Sequence, residues 1–201
     1  MSLRFETLPD PTVSSAQACQ IRRGVPADAQ ALSAFATRTF VDTYGEYNQA
    51  HNLRLHLTAS YGVRQQRDEL ADAHVTTLLA YRDQQLAAFA QVRCGEVPAC
   101  VADAAAVELH RFYVDRGWHG RGVSQQLLGE ACRAARAFGA ATLWLKVWER
   151  NPRAIAFYAK SHFVDVGTAD FFVGNDRQTD RVLQLALVAD VNAVSAAARL
   201  G

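Results

Sequence analysis

The sequence predicts an α/β domain in which strands and amphipathic helices alternate. Three observations carry that reading. Residues 106–128, AVELHRFYVDRGWHGRGVSQQLL, read as a strand, a glycine-bearing turn and a helix. Residues 141–148, ATLWLKVW, form a second strand rich in β-branched and aromatic side chains. Two further apolar runs, 76–81 and 86–93, flank the polar stretch Arg82-Asp83-Gln84-Gln85 as the arms of a hairpin do.

Each element has a local reason. Residues 1–18 carry Pro9, Pro11 and polar clusters with little periodicity, and are expected to be a flexible N-terminal arm. Residues 19–189 are expected to form a single domain, and the alanine-rich residues 190–201 a C-terminal tail. Residues 20–23 suggest a short first strand. Pro26-Ala27-Asp28 opens a helix, because proline and an acidic residue both suit a first turn. Ala31, Leu32, Phe35 and Phe40 give that helix an apolar side. After FVDTYGEYN (40–48), Leu53, Leu57 and Tyr61 recur at helical spacing, and residues 65–72 continue the helical polar pattern. Gly95 and Pro98 make 95–105 a loop.

Residues 106–114 are the central strand. Unbroken alternation places Glu108 on one face with His110, Phe112 and Val114, and Leu109, Arg111 and Tyr113 on the other. In the following helix Leu127, Leu128, Ala131, Ala134, Ala135 and Phe138 form an apolar stripe. Asn151 is a plausible cap and Pro152 a first-turn residue for the next helix. Residues 164–167 and 181–187 suggest a final strand pair, joined by a segment that carries Phe171, Phe172 and the turn Gly174-Asn175-Asp176.

Composition narrows the function. A net charge of +1 argues against a general nucleic-acid or membrane-surface role. No apolar run approaches ~18 residues, so no membrane span is expected. The N-terminus lacks a charged segment followed by an apolar core, so no signal peptide is expected and the chain reads as cytoplasmic. The four cysteines, at 19, 94, 100 and 132, lack CxxC spacing. They read as reduced, buried thiols, with no metal site expected.

The glycine turn points to anion binding. A helix that starts there aims free N–H groups and its positive dipole end at whatever lies above it. Arg116 and Arg121 add positive charge. An ordinary glycine-rich connection without a ligand explains the spacing equally well. A Walker loop is excluded, since no Lys-Ser or Lys-Thr follows the glycines. Gly117, Gly120 and Gly122 also invert the G-x-G-x-x-G dinucleotide order. Glu149, ending the next strand, suits a nicotinamide-dependent oxidoreductase, but little repeated βαβ patterning precedes it.

His119-Gly120-Arg121-Gly122-Val123-Ser124, followed one strand later by Asn151, Ala154, Phe157, Tyr158 and Phe163, resembles the GNAT superfamily of acetyl-CoA-dependent N-acetyltransferases over roughly residues 21–187. His119 stands where the family pattern has Arg or Gln, Ser124 where it has Gly or Ala, and His162 where it has Gly. The resemblance implies the GNAT fold: a mixed central β-sheet of about six to seven strands flanked by helices on both faces, with splayed central strands. It implies acetyl-CoA as co-substrate and a small-molecule or peptide amine as acceptor, with no nucleic acid, membrane or metal. A homodimer is left open. Phe112, Tyr113 and Val114 would pair with pantetheine. His119, Gly120, Arg121, Gly122, Val123 and Ser124 would hold the pyrophosphate, and Asn151 the pantetheine arm.

Residues 40–48 are similar to a bacterial subgroup of spermine/spermidine-type acetyltransferases, which makes Tyr44 and Tyr47 candidate acceptor-binding residues; Asp42 and Glu46 could meet a cationic amine. Acetyl transfer needs a neutral amine, yet an alkylamine of pKa about 10.4 is only ~1 part in 10³ neutral at pH 7. A base must take its proton and an acid must protonate the departing thiolate. Tyr158, on the family's tyrosine, is the candidate acid. Glu108 is the candidate base, with His110 and Glu149 as alternatives. Some family members carry a base glutamate where Lys146 stands here. Each residue also has an ordinary reading: a core tyrosine, a helix cap, or a sheet carboxylate paired with Lys146. A non-catalytic CoA-binding sensor on the same fold stays open beside the enzyme.

Overall fold

The computed structural model describes residues 19–187. The expected N-terminal arm and C-terminal tail lie outside these residues. Strands β1 (Gln20–Arg23), β2 (Val75–Arg82), β3 (Gln85–Arg93), β4 (Val107–Val114), β5 (Thr142–Trp148), β6 (Val164–Val173) and β7 (Asp176–Ala186) form one sheet in the order β1-β2-β3-β4-β5-β7-β6. All neighbours are antiparallel except β4 and β5. That parallel pair needs a crossover, which helix α4 (Val123–Ala137) supplies.

Both faces of the sheet are covered. On one, α4 and α5 (Pro152–Lys160) pack Val123, Leu127, Ala131 and Tyr158 against Leu109, Leu143 and Leu145. On the other, α1 (Ala29–Tyr44), α2 (Ala50–Tyr61) and α3 (Val63–Ala71) bring Leu32, Phe35, Phe40, Tyr61 and Leu70 onto Leu79, Phe89 and Val173. Gly62, extended between α2 and α3, breaks what the sequence reads as one continuous helical pattern. The result is the expected mixed sheet with helices on both faces.

Three expectations need correction. The strand pair after α5 is far longer than 164–167 and 181–187, because Phe171 and Phe172 belong to β6 and Gly174 turns directly into β7. Cys94 and Cys100 are exposed, because both lie in the loop between β3 and β4; Cys19 and Cys132 are half-buried, and all four are free thiols. Most consequential is the phase of β4. Opposite β3, Gln91 pairs with Arg111 but Val92 pairs with Leu109, so His110 is the extra residue of a bulge. One extra residue reverses the alternation beyond it. Leu109, Phe112 and Val114 therefore share the α4 face, while Glu108 lies on the α1 face with Arg111 and Tyr113.

The β6–β7 hairpin touches α2 at its tip. Gly174 has φ +59°, and a Cβ there would meet the Asn52 backbone at 2.7–2.8 Å. Asn52 also accepts the Asn175 amide at 3.2 Å. Gly174→Ala is expected to cost about 2 kcal/mol or more, from left-handed strain and the clash together. Urea unfolding of wild type and variant measures it.

Candidate active site

The site begins where β4 and β5 part. Their pairing is limited to Val107–Leu143 and Glu108–Trp144. From Leu109 to Val114 the edge of β4 that faces β5 has no strand beside it among the described residues. Inside a protein such amides and carbonyls need partners, and here they line a cleft of about 340 Å³. Phe112, Tyr113 and Val114 form one wall, and Asn151, Ala154, Phe157 and Tyr158 the other.

The glycine turn closes one end. A 3₁₀ turn, Arg116–Trp118, leads into Gly120 (φ +73°) and Gly122 (φ +79°). Both lie in the left-handed region, which suits glycine. A Cβ on Gly120 would meet nothing within 4 Å, so the space above the turn is open. Gln126 is the first amide to bond back, to the Gly122 carbonyl at 3.2 Å. The amides of residues 122–125 precede it and have no acceptor within the helix. The α4 N-terminus thus offers N–H groups and a positive dipole end to an anion in the cleft.

The charged side chains around the turn divide into structural ones and one that faces the cleft. Arg38 binds the Asp115 carboxylate, and Arg116 donates to the Asp42 carbonyl; both tie the turn to α1. Arg121 lies over the Trp118 ring, 5.4 Å from its centroid. Its side chain does not line the cleft, and that of Val123 is buried in the core. Gly120, Gly122, Ser124 and His119 do line it. The His119 Nε2 meets the Val114 carbonyl at 2.9 Å, and its Nδ1 is met by Arg153. Burial holds His119 below its usual range, with the Arg153 and Arg116 charges acting in the same direction. Arg153 is thereby held beside the cleft, a cation that no sequence motif singles out.

Tyr158 is buried at the cleft wall, ringed by Phe112, Phe157 and Phe163 at 5.3–6.3 Å between centroids. Burial and the neighbouring Tyr44 push its hydroxyl well above the ordinary range, so it stays protonated. Asn151 caps α5 by accepting the Ala154 amide at 3.1 Å while facing the cleft. Tyr44 also faces it; burial lifts its hydroxyl to about 12 against the pull of the Asn151 side chain.

A smaller pocket of about 90 Å³ continues from the cleft on the α1 side. The two share Tyr44, His110, Tyr113 and Lys146. Phe40, Trp148 and Phe171 complete its aromatic lining, and Glu108 and Asp180 supply carboxylates. Tyr47 does not line it; this exposed ring packs on Trp148 at 5.0 Å. Behind the pocket, Arg111 joins Glu69 of α3 to Gln91 of β3 (2.6 Å to Gln91 Oε1) and donates to the Ser60 carbonyl at 2.9 Å.

Glu108 is committed. Its Oε2 accepts from Arg93 Nε at 2.6 Å, and its Oε1 lies 3.6 Å from His110 Nδ1. Burial alone would raise the carboxyl, but His110 and Arg93 hold it at about 2. A carboxyl held that low is a weak proton acceptor. His110 is held below its usual range by burial, against the pull of Glu108, and so is neutral at pH 7. The bulge turns its ring toward both cavities. Glu149, at the end of β5, lines neither cavity.

Comparison with known proteins places these features in a family. The family model described as acetyltransferase (GNAT) matches residues 37–163. An uncharacterised N-acetyltransferase of Mycobacterium tuberculosis is 30% identical over 161 residues, covering 80% of this chain and 99% of that protein. One encoded in the pepI 3′ region of Lactobacillus delbrueckii subsp. lactis is 28% identical over 161 residues, covering 80% and 93%. Among solved structures, the PaiA N-acetyltransferase of Thermoplasma acidophilum in complex with coenzyme A superposes with a TM-score of 0.68 at 19% identity, covering 84% of this chain and 99% of that one. The ribosomal-protein-alanine N-acetyltransferase of Brucella melitensis gives 0.61 at 22%, covering 83% and 99%. At these identities the likeness is one of fold.

The Glu108 carboxyl sits at about 2 in the fold against an ordinary 4.5. Its contribution to stability is full above 4.5 and is lost as pH falls through about 2. Glu108→Gln is therefore expected to cost about 1–2 kcal/mol at pH 7, discounted because Arg93 is more than a third exposed. The deficit should narrow below pH 4.5. Urea unfolding at pH 7 and pH 3 tests the sign.

Proposed function

Because the chain belongs to the acetyltransferase (GNAT) family, we propose that it moves the acetyl group of acetyl-CoA to a primary amine by direct attack within a ternary complex. The observation that carries this reading is the unpaired β4 edge running to the amide-rich start of α4. The residues present fit the co-substrate. Phe112, Tyr113 and Val114 offer main-chain groups to the amides of a pantetheine arm, with Asn151 facing them. Gly120, Gly122, Val123 and Ser124 offer amides to the pyrophosphate, His119 positions Arg153 beside it, and Arg121 contributes its backbone. Acetyl-CoA, when bound, supplies the activated thioester.

The chain's own groups supply the proton traffic. His110 takes a proton from the acceptor ammonium, and Glu108, anchored by Arg93, orients the ring and steadies the imidazolium. Glu108 is in this reading a positioning residue rather than the base. The freed nitrogen lone pair attacks the thioester carbonyl, and a β4 amide stabilises the oxyanion. As the C–S bond breaks, Tyr158 gives its proton to sulfur. The tyrosinate then recovers a proton from the nitrogen as the amide forms. Tyr44 bounds the acceptor, with Tyr47 at the rim through Trp148. Among amines, the pattern of residues 40–48 favours spermine- or spermidine-like acceptors.

A thiol-release assay with acetyl-CoA and a panel of primary amines tests the reaction; no release with any amine would refute it. Tyr158→Phe is expected to lower kcat ten-fold or more, against the ~10²–10⁴-fold typical of acid–base groups, while affinity for CoA survives. Gly122→Glu is expected to abolish CoA binding in calorimetry, because it places bulk and negative charge at a left-handed position over the turn. Full CoA affinity in that variant would exclude the turn as the pyrophosphate site.

A further inference from the structure

The small pocket beside His110 holds a carboxylate that forms no ion pair within 4.0 Å among the described residues. Asp180 of β7 lies opposite Trp148 of β5 in the sheet and is only 5% exposed. Its Oδ1 is buried and has no hydrogen-bond partner among the described residues. A buried charge without a partner is costly, and proteins seldom keep one without a use. Here the side chain lines a cavity that the rings of Phe40, Tyr44, Trp148 and Phe171 share with polar groups, Lys146 among them. Aromatic faces attract cations, more strongly where water is excluded.

Resting on the acetyltransferase reading above, we propose that Asp180 is the counter-ion that receives the acceptor. The pocket takes an alkylammonium group, neutralised by the carboxylate and enclosed by the four rings, and holds it beside His110 at the mouth of the cleft. The chemistry selects cationic alkylamines over neutral molecules of the same shape. Lys146 faces Asp180 from β5 and attracts it, but the two do not form an ion pair within 4.0 Å. The other charged or titratable groups lining the site are Tyr44 of α1 and Glu108, His110 and Tyr113 of β4, while Glu149 beyond β5 acts on Asp180 by its charge from outside the pocket. His56 of α2 stacks on Phe40 and meets Phe171 edge-on. Burial lifts the Asp180 carboxyl to about 6, with Lys146 opposing and Glu149 adding to the rise. Selection for the cation should therefore fade as pH falls through about 6.

The test uses benzylamine, cationic at pH 7.5, and its neutral isostere benzyl alcohol, titrated calorimetrically into the full chain with CoA present, so that no turnover is needed. Wild type is expected to bind benzylamine at least 30-fold more tightly than benzyl alcohol. Asp180→Asn should bring the two within threefold of each other, leave CoA affinity unchanged, and melt no lower than wild type at pH 7.5. Equal affinities in wild type, discrimination that survives in Asp180→Asn, or a lowered melting temperature in that variant would each overturn the proposal. The last would mean that Lys146 is the structural partner of Asp180. Thiol release from acetyl-CoA is read separately: selective binding without release leaves the Asp180 assignment standing and refutes the acetyl-transfer reading, and release with unselective binding does the reverse.

Discussion

The structure depends on one unmet demand of the backbone. β4 and β5 pair for two residues and then separate, which leaves the rest of the β4 edge inside the protein without a strand beside it among the described residues. Main-chain groups in such a place need a partner. An extended ligand with amide groups of its own can complete the ladder, as a peptide does at an open sheet edge. The parting also makes room for Tyr158 and Asn151, which α5 presents to the gap.

The bulge at His110 lies at the same point in the sheet. It aims an imidazole at both cavities and shifts everything beyond it by one face. Phe112 and Val114 then pack toward α4, while Arg111 and Tyr113 serve the α1 side. Arg111 binds Glu69, Gln91 and the Ser60 carbonyl, so one buried cation joins β3, β4, α2 and α3. That network ties α2 and α3 to the sheet, and leaving any of its members unpaired would be costly.

Against this background the carboxylates of the site fall into two kinds. Glu108 is paired and held low, near 2; Asp180 is unpaired and lifted to about 6. The difference is one of partners, since both are almost fully buried. Arg93 and His110 stand directly against Glu108, whereas aromatic rings and the more distant Lys146 stand around Asp180. Two acidic residues one pocket apart are thereby suited to different tasks.

Order of elements, the hairpin, the crossover helix and the glycine turn were legible in the chain because each has a local cause: side-chain period, cap chemistry, or a backbone angle that glycine tolerates. Gly120, Gly122, Asn151 and Tyr158 could be found for the same reason, since turn and motif spacing are properties of neighbouring residues. The reach of β6 through Phe171 and Phe172 was hidden because its pairing is with β7, and the phase of β4 because a bulge is set by the partner strand. Arg153 and Asp180 carry no local mark at all. One faces the cleft through a contact with a histidine 34 residues away; the other is unpaired only because the folded sheet and the rings of α1, β5 and β6 shut it away from water. Burial and the lack of a close ion pair among the described residues belong to the assembled molecule, so tertiary structure alone decided which carboxylate is left without a direct partner.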